Sequence, residues 1–299
     1  MSRRAKVLLG VAGFLLVTVL IGVVFGSAGE NAEFQPQNEF RLDPWIPLEL
    51  GPIDMSINKA VVYLLLACIA TTATMVYIAK RMEDRPNRVQ TVVEMAYDLT
   101  RNQITRNNMS NRMATRWFAF TATLFFFIWF SNMIGYIPLP VNTEEPVHIF
   151  GVDVPALALY AATANLSVPL MLTLIVWFAY HVEGIRAKGL VGYLKGWVPG
   201  GITGFAAIPL FVIEVISQFV RIISLSVRLF ANILAGHLLI LFMGGGLVVL
   251  LGVAALGVVT LPIAVVFFIF EVGLIATLQA FIFATLSSIY LGEATAAGH

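Results

Sequence analysis

Charge is scarce in this sequence. Asp, Glu, Lys and Arg make up 12% of its 299 residues, against 59% hydrophobic residues. A soluble fold carries about a quarter of its residues as charges, so the deficit excludes an ordinary water-soluble domain and points to a polytopic membrane protein. Cysteine is scarcer still. The single Cys68 lies inside an apolar stretch, which rules out an intrachain disulfide and a Cys/His metal cluster. Phosphate-binding loops, nucleotide fingerprints and nucleophile constellations are missing, so no cofactor, metal or nucleic acid is expected. Tandem repeats are missing too, as are the Gly/Pro-broken inverted halves common in secondary transporters.

What is present is a series of long apolar runs. Arg3, Arg4 and Lys6 precede the run 7–25. At about nineteen residues it is long enough to span and reads as a retained first helix, with a signal peptide over 1–26 as the alternative. Residues 27–56 are acidic and proline-interrupted and read as an outer loop, and 57–299 as one membrane-embedded domain. Within that domain Ile57–Ala79, Trp117–Ile137 and Leu157–Tyr180 are expected spans, the last interrupted by Pro169. Between Val89 and Leu99, Val89, Val92, Val93, Ala96 and Leu99 follow helical spacing and predict an interfacial helix, anchored on lipid or against a partner. Eight basic residues fall between Lys80 and Arg116 and three more between His181 and Trp197, whereas 138–160 holds no Lys or Arg. The positive-inside rule then puts the basic loops in the cytoplasm, with both termini there if the first helix is retained.

The most informative stretch is PLFVIEVISQFVRIISLSVRLFANILAGHLLILFM, residues 209–243, an apolar segment carrying Glu214, Gln218, Arg221, Arg228, Asn232 and His237. An arginine at mid-bilayer costs about 2.5–3.5 kcal/mol on insertion scales, so such groups usually mark a functional path. At about 100° per residue the first five lie at about 0°, 40°, −20°, −40° and 0°, one polar stripe, with His237 about 140° away. Glu214 precedes Arg228 by about 21 Å of helix and His237 follows by about 13 Å. Arginine suits a barrier between two half-paths because its guanidinium stays protonated and cannot relay its own proton. The His237 imidazole, with an ordinary pKa of about 6.5, suits proton transfer. A last apolar run, 262–291, adds Glu271 and Gln279.

Arg228-Leu229-Phe230, Asn232 and Ala235-Gly236-His237, preceded by Ser224-Leu225, together with Leu278-Gln279-Ala280-Phe281-Ile282-Phe283 and Tyr290-Leu291, resemble subunit a of the rotary F-type ATP synthase over about 57–291. The resemblance implies an all-α membrane protein of five core helices plus the N-terminal one, the last two forming a long tilted hairpin. It also implies a stator, not an enzyme by itself, that faces a rotating ring of c subunits and is held in lipid with b-type peripheral stalk subunits and the rest of the complex. Arg228 is then the essential stator cation between two half-channels, most simply for protons, and Glu214, Gln218, Asn232, His237, Glu271 and Gln279 are ion-pathway residues. Arg221, Ser224, Asn132 and Asn165 are structural or auxiliary.

Several positions depart from the family pattern. Many relatives have an aspartate at Asn165. Arg221 is followed by Ile222 rather than proline, and pairing with Glu214 or Gln218 is its structural alternative. The family's ionisable group stands seven residues before the glutamine, at Val272, whereas Glu271 is eight before. A stand-alone channel or transporter and a purely structural anchor remain the rival functions. Pairing Arg228 with Gln279 and His237 with Glu271 across an antiparallel hairpin centres its turn near Gly252–Gly257, not at the triplet Gly244-Gly245-Gly246.

Overall fold

A computed structural model describes residues 40–50, 53–80, 82, 87–149, 152–198, 202, 204–251 and 256–296. The expected N-terminal helix or signal peptide over 1–26 lies outside them. Among the described residues, five helical runs are long and apolar enough to cross a membrane. They divide between a larger body, Leu42–Leu234 with Leu274–His299, and a smaller one, Met1–Arg41 with Ala235–Gly273.

In the larger body α1 (Lys59–Lys80) is followed by α2 (Arg88–Asp98), which passes into a π-helical stretch, Leu99–Arg106. Asn87 starts α2 by accepting the Gln90 backbone N–H on its side chain at 2.8 Å, the usual way to satisfy a free helix-start donor. Val89, Val92 and Met95 of α2 are exposed, as suits an interfacial helix lying against lipid. α3 (Asn111–Ile134) is the most enclosed span, with 44% of its apolar window buried against 17% for α1. α8 (Ala276–Thr295) packs on α3 and on α4 (Ser167–Lys195). Fully buried Ala276, Ala280 and Ala284, at four-residue intervals, keep one face of α8 narrow enough for close approach.

The fourth span is displaced from its expected position. Leu157 and Ala158 end a strand, and the helix begins only at Ser167 and continues to Lys195 through the supposed basic loop. Two local effects explain the shift. Asn165 accepts the Ser167 N–H at 3.0 Å and so marks the start of the helix, and Pro169, third in that helix, needs no intrahelical donor and interrupts nothing. The break falls at Gly189, with φ of 72°, a conformation glycine adopts without steric cost.

The presumed outer loops also carry strands. β1 (Glu49–Leu50) pairs with β2 (Ile53–Asp54), and β3 (Leu139–Ile149) pairs antiparallel with β4 (Val152–Ala158), Leu139 opposite Ala158 and Ile149 opposite Val152. Nearby, the Lys59 ammonium lies 5.2 Å from the Tyr160 ring centre and Tyr63 meets the same ring edge-on. Burial pushes the Tyr160 phenol above its ordinary range, so it stays protonated at physiological pH.

α5 (Ala207–Leu241) leads into a π-helical segment, Phe242–Gly246, and then α6 (Leu247–Leu251). Helix resumes at α7 (Gly257–Phe270) and passes through a π-helical turn, Glu271–Ile275, into α8. In the smaller body α7 packs on Phe242–Gly246, and a Cβ on Gly257 would lie 3.8 Å from the Val248 side chain. The chain therefore stays helical through the glycine triplet to Leu251. Residues 252–255, the rest of the expected turn, lie outside the described set.

Candidate functional site

The polar groups of α5 fall into two environments. At the Glu214 end they face inward. The Tyr180 hydroxyl donates to Gln218 Oε1 at 2.7 Å, and Gln218 Nε2 donates to Glu214 Oε1 at 2.6 Å. Arg221 reaches Glu214 at 3.9 Å and Glu293 at 3.3 Å, with its guanidinium 4.7 Å from the Tyr290 ring centre. These groups line a polar cavity of about 210 Å³ that Lys188 and Tyr193 help to enclose. The four-residue spacing of Glu214 and Gln218 explains their mutual bond. Arg221 takes the structural pairing with Glu214 and adds a carboxylate, Glu293, and a ring that the sequence reading missed. Glu293 follows Tyr290 by three residues, one helical turn, but which residue faces α5 depends on packing that no single-helix pattern contains.

Two turns further on the surroundings reverse. Leu225, Ser226, Leu229 and Ile233 are buried, whereas Ser224, Val227, Arg228, Ala231 and Asn232 are exposed. The hydrogen bond of the Arg228 guanidinium goes to Ser224 Oγ at 3.5 Å, one turn back on the same helix. Among the described residues no carboxylate forms a salt bridge with it. Gln279, expected opposite Arg228, is buried, whereas Arg228 is exposed. The polar stripe is continuous in angle but not in environment.

Asn132 is fully buried and works as a tie. It accepts from the Thr163 hydroxyl at 2.7 Å and donates to the Ala276 carbonyl at 3.2 Å, while Trp129 Nε1 donates to Thr277 Oγ1 at 3.1 Å. α3 thus grips α8 at its first turn, just past the π-helical segment. Asn165, as described, sets the start of α4.

In the smaller body His237 and Glu271 are both buried, 2% and 8% exposed. The Glu271 carboxyl occupies the space in which a Cβ on the adjacent Gly236 would stand. Only glycine leaves that room. Glu271 also opens the π-helical turn, and a π turn accommodates one residue more than an α turn. One residue is the difference between Glu271 and the family position seven before Gln279.

The fold thus defines a multi-pass, helical membrane protein with titratable groups set along its last spans. The family model of the ATP synthase A chain matches residues 61–292. An ATP synthase subunit a from Rubrobacter xylanophilus is 34% identical over 82% of this chain and 87% of its own length. One from Myxococcus xanthus is 34% identical over 83% and 76%, and one from Hyphomonas neptunium 32% over 87% and 95%. The chain belongs to the ATP synthase subunit a family.

Proposed function

We propose that this chain is the proton-translocating stator of an F-type ATP synthase, seated in an energy-transducing cell membrane with its basic loops in the cytoplasm. It works against a ring of c subunits, is held by the peripheral stalk, and leaves ATP chemistry to other subunits. The observation that carries the reading is the surface position of Arg228, a permanent cation in an apolar span with no carboxylate partner of its own among the described residues. A charge so placed is too costly to serve as an anchor. Its natural counterpart is an ionisable carboxylate presented by another chain, which a cation holds ionised as it passes. Small Ser224 and Ala231, exposed beside Arg228, allow close approach of such a helix.

On this reading each carboxylate of the ring gives up its proton on one side of Arg228 and takes another on the other side. The Glu214 cavity serves the cytoplasmic half-path, and His237 with Glu271 the outer one. The test is reconstitution in liposomes under an imposed pH gradient. The chain alone should pass no more protons than empty liposomes, and the chain assembled with its ring should pass them readily. Fast passage by the chain alone would instead identify a self-sufficient channel or transporter.

A further inference from the structure

The cavity at Glu214 is not the largest in this body. A second one, of about 880 Å³, opens between the start of α3, the far half of α4 and the end of α8. Its walls carry Arg112, Arg116, Glu183 and Arg186. Glu183 is buried and is clamped by Arg116 at 2.6 Å, with Arg186 at 3.8 Å, which ties α3 to α4 at the cavity. On the α8 side Gly292 rests against the Asn108 carbonyl so closely that a Cβ would collide with it. One residue, Glu293, lines both this cavity and the Glu214 cavity.

We propose that the wide cavity is the vestibule of the cytoplasmic half-path, and that Glu293 is the ion-pathway carboxylate through which it communicates with Glu214. The proposal rests on the stator reading above and adds to it a route and a residue. The Glu293 side chain is 57% exposed, so water reaches it. Arg221 lies 3.3 Å from Glu293 and 3.9 Å from Glu214 and holds both carboxylates at the inner cavity. It cannot carry the proton itself. The inner cavity, at about 210 Å³, has room for several waters. In the synthesis direction a proton leaves the Glu214 carboxyl, passes along that water and arrives on the Glu293 carboxylate. Glu293 then releases it to water in the vestibule. Each transfer exchanges one carboxylic acid for one carboxylate, and no other group changes charge. A path through the body of the subunit keeps the cytoplasmic opening away from the exposed apolar face that Val212, Ile216 and Val220 present on α5.

The test uses the assembled complex in inverted membrane vesicles, with Cys68→Ser as background so that an introduced thiol is unique. ATP-driven proton pumping is followed with a pH-sensitive dye. Glu293→Gln should slow pumping by about three- to tenfold, less than the roughly hundredfold or more of a proton-transfer group that water cannot bypass, and Glu293→Asp should recover at least about half of the rate. In Ala187→Cys, which puts a thiol in the vestibule wall, a membrane-impermeant trimethylammonium thiol reagent should cut pumping to below about half of that of the same vesicles before labelling. Unslowed pumping by Glu293→Gln, failure of Glu293→Asp to recover the rate, or unchanged pumping after labelling of Ala187→Cys overturns the proposal. Arg228→Ala separates this from the parent reading. If it still pumps, the stator reading fails. If it is inactive while the vestibule variants pump normally, only the present inference fails.

Discussion

The two halves of the polar helix α5 make opposite uses of the same residue types. Arg221 is enclosed, bonded to two carboxylates and stacked on a tyrosine; Arg228, two turns on, is exposed and bonded only within its own helix. A half-buried cation whose partners lie in the same chain has its desolvation offset on the spot. A cation left without them in an apolar span requires water or another molecule. The contrast separates a group that builds the cavity from one that the proposed stator role assigns to a partner chain.

The largest effect expected from breaking this contrast is at Arg228. Arg228→Ala and Arg228→Gln should abolish ion-driven ATP synthesis in vesicles, a loss of at least about a thousandfold on the scale of removing a preorganised charge. Arg228→Lys should fail as well, because an ammonium can be neutralised in a low-dielectric site. Wild-type synthesis by the Ala variant would disprove the assignment. Next comes Gly236. A methyl group there must displace the Glu271 carboxyl, and overpacking of this kind costs about 1–3 kcal/mol. Gly236→Ala should therefore reduce proton transport by about tenfold or more, with the complex still assembled on native gels. Full transport would show that the position of Glu271 does not matter.

How far these sites could be read from sequence depends on the scale of the signal. Apolar runs located most of the spans, because membrane thickness fixes their length. The apolar Val-Pro-Ala-Leu-Ala-Leu before Tyr160 misled, since apolar composition does not separate a strand from a helix start. The single-stripe reading of α5 assumed one environment along a helix that passes from enclosed to exposed. The count from Glu271 to Gln279 runs through a π-helical turn, Glu271–Ile275, which a purely α-helical count does not anticipate. Helical phase was legible in the stripe, whereas partners such as Glu293, Tyr180 and Tyr290 come from other helices and leave no mark in local periodicity.

Smaller effects sharpen the enclosed side of the comparison. Glu214→Gln keeps the length and hydrogen bonding of the side chain at Gln218 but loses the titrating carboxyl. Transport should fall by about three- to tenfold, less than for Arg228→Ala, because cavity water can bypass one relay group. A loss as complete as that of Arg228→Ala would give Glu214 a different role. Asn132→Ala leaves the Thr163 hydroxyl and the Ala276 carbonyl without their bonds to Asn132. An unsatisfied buried polar group costs about 1–3 kcal/mol, so thermal unfolding of the purified subunit should begin several degrees lower while Arg228-dependent transport persists below that temperature. An unchanged transition would mean that α3 does not hold α8 at this point.

The smallest effect on transport should come from fixing the hairpin where no ion-pathway group stands. Val248 and Gly257 are neighbours in the smaller body, a Cβ on Gly257 standing 3.8 Å from Val248 Cγ2, so cysteines at the two positions would lie within reach of each other. The chain stays helical through the glycines at 244, 245 and 246 and on to Leu251, so the turn does not lie in the triplet. Val248→Cys with Gly257→Cys, in the Cys68→Ser background, should therefore cross-link on mild oxidation, seen as faster gel migration that dithiothreitol reverses. Proton transport should stay within about twofold of the reduced sample, since the bond ties parts of the smaller body that already touch. Cross-linking of position 244 to 248 or 249 in preference would move the turn to the glycines and remove the geometry that brings Gly236 against Glu271. A cross-link that forms but stops transport would mean that the hairpin tip must move as the ring turns.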